Sequence, residues 1–300
     1  MRKRWTLLIG ALGLGGAVLL SGQKLPHHNQ LLFSLNQRPD SLWHLFAPRF
    51  LTAFNPTGYN NQPQFFSSYE IYLTAQLPTD TAQTDIYALD LLLNTITRVT
   101  ATTTPEYSPT RMPDGKHFSV VRVEADSIQR LWALPIDRRT TGYPLLPEIK
   151  GVGYHCWLRD TLLALFLVGN NDSHTLAMVN PLQPTLRRIA VGIGRCLQKT
   201  ADGRLAFVQK LSPQEAFLKV YDPLRGVVET LTQMPEGTED FAPMPDGAYL
   251  AGEGSRLLQF HPRRQNGAWT PIADLSPFNV RKISRIAVSP DGRLLVVVVQ

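Results

Sequence analysis

"YSPTRMPDGKHFSVVRVE", Tyr107 to Glu124, places a turn between two strand-like runs. Pro113-Asp114-Gly115 is that turn. The arrangement returns as "APMPDGAYLAGE" (Ala242–Glu253) and "AVSPDGRLLVVVV" (Ala287–Val299). Pro fixes φ and ends the first strand, Asp can accept a backbone N–H two residues on, and Gly supplies positive φ. The reading is a hairpin with a primed turn. Two degenerate copies keep the beat, Asp160 in "LRDT" and Asp202 in "TADG", so Asp114, Asp160, Asp202, Asp246 and Asp291 are 46, 42, 44 and 45 residues apart.

Working outward, most copies carry a third run after a polar gap: "RLWALPID", "HTLAMVNP", "AFLKVYDP" and "RLLQFHP". A fourth short run closes each unit. An earlier unit, "FFSSYEIYLTAQ", "TDIYALDL" and "TITRVT", fits without the Asp-Gly turn. Alternation such as Arg204-Leu-Ala-Phe-Val suits strands, and no long stretch after residue 24 has helical period. Four short strands in each repeat of this length mean a β-propeller.

Blades are expected to start near residues 64, 106, 153, 194, 239 and 282, within one domain spanning 24–300. The last has room for only two strands before Gln300. "NQLLFSLNQRPDSLWHLF", Asn29–Phe46, resembles the second half of a blade. Residues 30–46 are therefore expected to complete the last blade and close a six-bladed all-β ring of four-stranded antiparallel blades. Closure matters because an open ring leaves an unpaired sheet edge at each end.

The "S-P-D-G-(K/R)-apolar" blades are similar to the WD-repeat-like units of TolB-type six-bladed propellers, over roughly residues 30–300. The resemblance does not extend to the α/β domain that precedes the propeller in TolB, so a place in the Tol–Pal system does not carry over. It implies an exported envelope location and a binding role for a protein, peptide or small polar ligand.

The 300 residues are 43% hydrophobic and 18% charged, which excludes a disordered chain. Met1–Arg4 is basic, and Trp5–Ser21 carries no charge, the pattern of a signal peptide cleaved near Gly22 or of a retained membrane anchor. Gln23 stands where a lipoprotein would carry its cysteine. Beyond residue 23 there are 27 basic and 24 acidic residues and no long basic run, so nucleic acid is not an expected partner. A periplasmic monomer, or one anchored facing the periplasm, is expected, with membrane contact only through residues 5–21 if uncleaved. Cys156 and Cys196 read as free buried thiols, although an exported chain could bridge them.

No Gly-x-Ser-x-Gly elbow is present. His155 and Cys156 adjoin on one strand and point to opposite faces, so they are not a nucleophile–base pair. His27-His28 reads as a solvated linker, and Glu236, Glu239 and Asp240 as a solvated acidic loop. No catalytic residue, cofactor or metal is expected. The segment before each first strand should enter near the axis, which gathers Asn61, Glu106, Tyr107, Tyr154, His155, Arg195, Glu239, Asp240 and Arg285 into a polar, aromatic ring suited to a peptide or small polar ligand. The alternative is a small propeller enzyme, a glycan-acting hydrolase or lyase or a cyclase type, with carboxylates or a metal at the axis.

Overall fold

In a computed structural model of the chain, the described residues are 25–80, 83–212, 214–264 and 267–300. The leader lies outside them. Among them no helix is long and apolar enough to cross a membrane.

The chain opens with β1 (Asn29–Gln37) and β2 (Trp43–Phe50). Blade one follows with β3 (Tyr59–Phe65), β4 (Glu70–Gln76), β5 (Asp85–Asp90) and β6 (Thr95–Arg98). Blade two has β7 (Glu106–Arg111), β8 (His117–Val123), β9 (Gln129–Pro135) and β10 (Tyr143–Pro144). Blade three has β11 (Val152–Arg159), β12 (Leu162–Leu167), β13 (Thr175–Asn180) and β14 (Gln183–Val191). Blade four has β15 (Ile193–Lys199), β16 (Leu205–Ser212), β17 (Glu215–Asp222) and β18 (Val227–Gln233). Blade five has β19 (Phe241–Pro243), β20 (Tyr249–Glu253), β21 (Arg256–Phe260) and β22 (Thr270–Asp274). The chain ends with β23 (Ile283–Val288) and β24 (Leu294–Val299).

These strands form six antiparallel sheets of four, the last in the order β2-β1-β24-β23. Asn29 faces Val299 and Ser34 faces Leu294 across the closing pair. The ring is closed as expected, by strands that run on to Phe50 rather than stopping at 46.

The core is six seams, each between neighbouring blades. Phe66, Tyr72 and Ile86 of blade one meet Phe118, Val120 and Leu134 of blade two. In β24, Leu295, Val297 and Val299 face blade five, while Val296 faces blade one. A middle strand buried on both sides must be apolar throughout, which explains the unbroken "LLVVVV".

Each first strand lies at the axis. We call the end where first strands begin the upper face and the end where they finish the lower face. The Asp-Gly hairpins therefore lie on the lower face. Gly115, Gly203, Gly247 and Gly292 have φ of +68°, +82°, +88° and +71°. Each of these glycines closes a four-residue turn instead of sitting inside a primed one: Gly203 N–H donates to Thr200 O at 2.9 Å. Asp works as expected, with Asp114 Oδ1 accepting from Lys116 N at 2.9 Å and Asp246 Oδ1 from Ala248 N at 3.0 Å.

Blade one begins at Tyr59, ahead of the expected position near 64. "YNNQPQF" lacks apolar alternation, and its first amides are engaged inside the protein. Asn60 Nδ2 donates to His28 O at 2.9 Å and to Asn55 O at 2.8 Å. His28 is buried too, which corrects the solvated-linker reading at that residue, while His27 is exposed as expected. His28 N donates to Gly58 O at 3.2 Å, and Leu25 packs against the seam between blades two and three. Residues 25–28 thus form a strap across part of the upper face.

Candidate functional site

First strands of all six blades line one axial cavity of about 70 Å³. Blade one gives Gln62 and Gln64, blade two Ser108 and Thr110, blade three Tyr154 and His155. Arg195 and Gln198 come from blade four, Asp240 from the start of blade five, and Arg285 from blade six.

Regular strands would aim alternate side chains at the axis. Here the register of the first strand shifts between Asn61 and Gln64, Tyr107 and Thr110, Val152 and Tyr154, Ile193 and Leu197, and Ile283 and Arg285. Gln62 and Ser108, within two of these shifts, have φ of +53° and +54°. Such bulges re-aim side chains.

The charged centre is Asp240. Its Oδ1 accepts Ile286 N–H at 3.0 Å, and its Oδ2 lies 3.5 Å from Arg285 Nη1 and 4.0 Å from Arg195 Nε. Arg285 Nη2 donates to Tyr154 Oη at 2.9 Å. Arg195 Nη2 donates to Ser284 O at 3.0 Å. The Nε atoms of both arginines are buried and make no hydrogen bond. Burial raises the Asp240 carboxyl above its ordinary value, with Arg285 and Arg195 acting the other way. Two guanidinium groups thus share one carboxylate.

Beside this centre, Glu239 pairs with Lys210 Nζ at 3.1 Å. Burial works against its ionisation, but Arg195 and Lys210 outweigh that and hold its carboxyl below the ordinary value. His155 Nε2 lies 2.6 Å from Ser119 Oγ, which also accepts Trp157 Nε1–H at 2.9 Å. Burial alone lowers His155 to about 3, so the imidazole is neutral.

Five of the nine expected residues therefore line the cavity: Tyr154, His155, Arg195, Asp240 and Arg285. Glu239 stands beside it. Asn61, Glu106 and Tyr107 turn away from it. Asn61 Oδ1 accepts the N–H of Gln62 at 2.8 Å. Glu106 is fully buried, accepts from Thr102 Oγ1 and pairs with Arg122 Nε at 3.0 Å. Burial raises its carboxyl to about 7. Tyr107 packs in the seam between blades two and three. The sequence reading omitted Gln62, Gln64, Ser108, Thr110 and Gln198. Their signal was position, one to three residues beyond the last expected ring residue of each blade, where the first strand continues down the axis.

Asp240 is not a solvated loop residue, because it is buried. Cys156 and Cys196 are free and buried. Burial pushes Cys156 up to about 12 and Cys196 well above its ordinary value, so neither is a ready nucleophile. Among the described residues no three of His, Cys, Asp or Glu gather as a metal-binding group.

Comparison by sequence finds no matching family model and no matching curated protein. By structure, the chain is similar to TolB from Acinetobacter baumannii, with a TM-score of 0.55 and 14% identity over 91% of this chain. It spans 64% of the length of that protein. A protein described as TolB from Agrobacterium tumefaciens matches with a TM-score of 0.63 and 13% identity, over 91% of this chain and 97% of the other. An oligogalacturonate lyase in complex with manganese matches with a TM-score of 0.50 and 13% identity, over 92% and 98% of the two chains. The likeness to TolB-like propellers is thus shown for the fold.

Proposed function

We propose that the protein is an exported β-propeller binding module of the cell envelope, which takes an acidic group of a protein, peptide or small polar ligand into its axial cavity. The observation that carries this reading is the pair of arginines on one carboxylate. Burying an unbalanced charge is costly, and an incoming anion offsets that cost. Arg presents a planar fork of donors that can grip a carboxylate in two places. Tyr154 and the glutamine amides of Gln62, Gln64 and Gln198 add a flat wall and neutral hydrogen-bonding groups. Export is supported by the basic start and the uncharged Trp5–Ser21 run.

The glycan-acting enzyme needs paired carboxylates or a metal-binding set at the axis. Among the described residues, Asp240 is the single acidic side chain on the cavity wall, and it is committed to two arginines and a backbone N–H.

Affinity capture from envelope extracts, with thermal melting in a panel of mono- and dicarboxylates, tests the reading. Arg195→Ala should stay folded and lose at least about tenfold in affinity. Asp240→Asn should move the other way and bind carboxylates more tightly. Folded variants that both bind as the parent does would remove the cavity from the function.

A further inference from the structure

The third and fourth strands of every blade are joined on the lower face, as are the first and second. In three blades this outer hairpin is built alike. Asp90 Oδ1 accepts the N–H groups of Leu92 and Leu93 at 2.9 and 2.8 Å, Asn180 Oδ1 accepts Leu182 N–H at 3.0 Å, and Asp222 Oδ1 accepts Leu224 N–H at 2.9 Å. Each capping side chain turns back onto the backbone. The residue two places on is left at the tip, and it is a leucine in blades one, three and four.

These leucines are exposed to an unusual degree. Leu92, Leu93, Leu182 and Leu224 are 70%, 73%, 79% and 83% exposed. A single exposed leucine needs no explanation. The same residue at the same turn position in three of six blades does.

Blades two and five put a cation there. In blade two, Asp137 Oδ1 accepts Arg139 N–H at 3.1 Å, and in blade five His261 Nδ1 accepts Arg263 N–H at 3.0 Å. In blade six Asp40 Oδ1 accepts Leu42 N–H at 3.0 Å, Leu42 is half-buried, and the exposed Arg38 opens the turn. All three arginines are exposed. Arg139 has a 3.6 Å pair with Asp137, but both side chains are more than half exposed, so the pair holds the arginine weakly.

We infer that the lower face is a docking surface for an anionic lipid bilayer, with Leu92, Leu93, Leu182 and Leu224 entering the interface and Arg38, Arg139 and Arg263 meeting the headgroups. The leucines stand at three separate hairpin tips, on blades one, three and four, and not on one sheet as in the continuous apolar patch that a protein partner buries. A soft interface accepts separate apolar points. The hairpin aspartates of this face are engaged, Asp114 by His117, Asp202 by Arg204 and Asp291 by the Arg293 N–H, whereas Arg38, Arg139 and Arg263 stand exposed between the leucines and match its charge. This contact does not depend on the axial cavity.

The test uses the full chain. Both native cysteines are buried, so a thiol-reactive nitrobenzoxadiazole dye reports the position chosen for it. It is placed at Leu182→Cys or Leu224→Cys, and at Leu211→Cys as a control on the upper face. Leu211 is itself 62% exposed. With equimolar phosphatidylglycerol–phosphatidylcholine vesicles, the dye at 182 and 224 should brighten and shift to the blue, while that at 211 stays unchanged. Arg139→Gln and Arg263→Gln should each raise the lipid concentration needed by about fivefold. No response at 182 and 224 would overturn the proposal, as would an equal response at 211. A response to lipid-free envelope extract but not to vesicles would also overturn it and give the tips to a protein partner.

Discussion

Arg285 and Tyr154 meet across the propeller axis. Arg285 Nη2 donates to Tyr154 Oη at 2.9 Å, and the guanidinium lies 5.0 Å from the ring centroid. The two residues sit on blades six and three, which are opposite in a ring of six. The contact is therefore both a wall of the cavity and a tie across the channel. Tyr154→Phe keeps the ring under the guanidinium and removes the acceptor. It should cost about 1.5–3 kcal/mol in urea unfolding, the range for a hydrogen bond to a charged group. Arg285→Ala should cost more, about 3–5 kcal/mol, because it strips a buried carboxylate of a partner. A Tyr154→Phe variant as stable as the parent would show that the hydroxyl is not a tie.

Ring closure gives the second prediction. Removing residues 26–50 takes away β1 and β2 and leaves β24 as the outer strand of a two-stranded blade. It also exposes Val296 and Val298, which are fully buried in the closed ring. The shortened protein should aggregate or unfold without cooperativity, read by light scattering and calorimetry. A monomer that melts at the parent temperature would rule out closure by these strands.

The fold was legible because the turn chemistry repeats. Asp and Gly mark the hairpins at Gly115, Gly203, Gly247 and Gly292, and the double-faced burial of β24 shows as "LLVVVV". The site was legible only in part. Glu106-Tyr107 and Tyr154-His155 are neighbours on strands, and which member faces the axis depends on bulges. A bulge has no fixed sequence pattern. β3 was misjudged at its start for a related reason: Asn60 and Gln62 are buried, but their amides bond to the protein instead of to water.

The repeated turn gives the third prediction, a contrast between two glycines. A Cβ at Gly203 would meet nothing within 4 Å, so Gly203→Val pays only for its φ of +82°. The cost should be about 1–3 kcal/mol. A Cβ at Gly292 would come within 2.7 Å of Pro245 Cγ on the neighbouring blade. Gly292→Ala should therefore lose more stability than Gly203→Ala, although the two glycines have similar φ. Equal losses in chemical denaturation would mean that the blades can separate slightly at no cost.

The last prediction concerns pH and His28. Its Nδ1–H donates to Pro26 O at 2.9 Å, which leaves Nε2 to accept from the Gln300 amide at 2.6 Å. Both nitrogens of a neutral ring are then satisfied. Burial lowers His28 from 6.5 to about 4, with Arg285 and Arg195 adding to the effect. Between those values the unfolded chain binds the proton and the folded one does not. Stability from this group is therefore complete above about pH 6.5 and is lost as pH falls toward 4, by roughly 3 kcal/mol in all. Glu106 has the opposite sign. Its carboxyl is raised from 4.5 to about 7 by burial, so the folded state takes up a proton first and gains stability as pH falls through that window. The wild-type profile mixes the two, along with His155, and a single melting curve cannot separate them. The difference between the parent and His28→Gln does separate them. The parent's advantage should shrink steadily from pH 6.5 to 4 and be constant above pH 7. Glu106→Gln should show the reverse trend against the same parent. If the parent's advantage over His28→Gln is the same at pH 4.5 and pH 7.5, His28 takes up its proton equally in the folded and unfolded protein, and the strap does not bury a neutral imidazole.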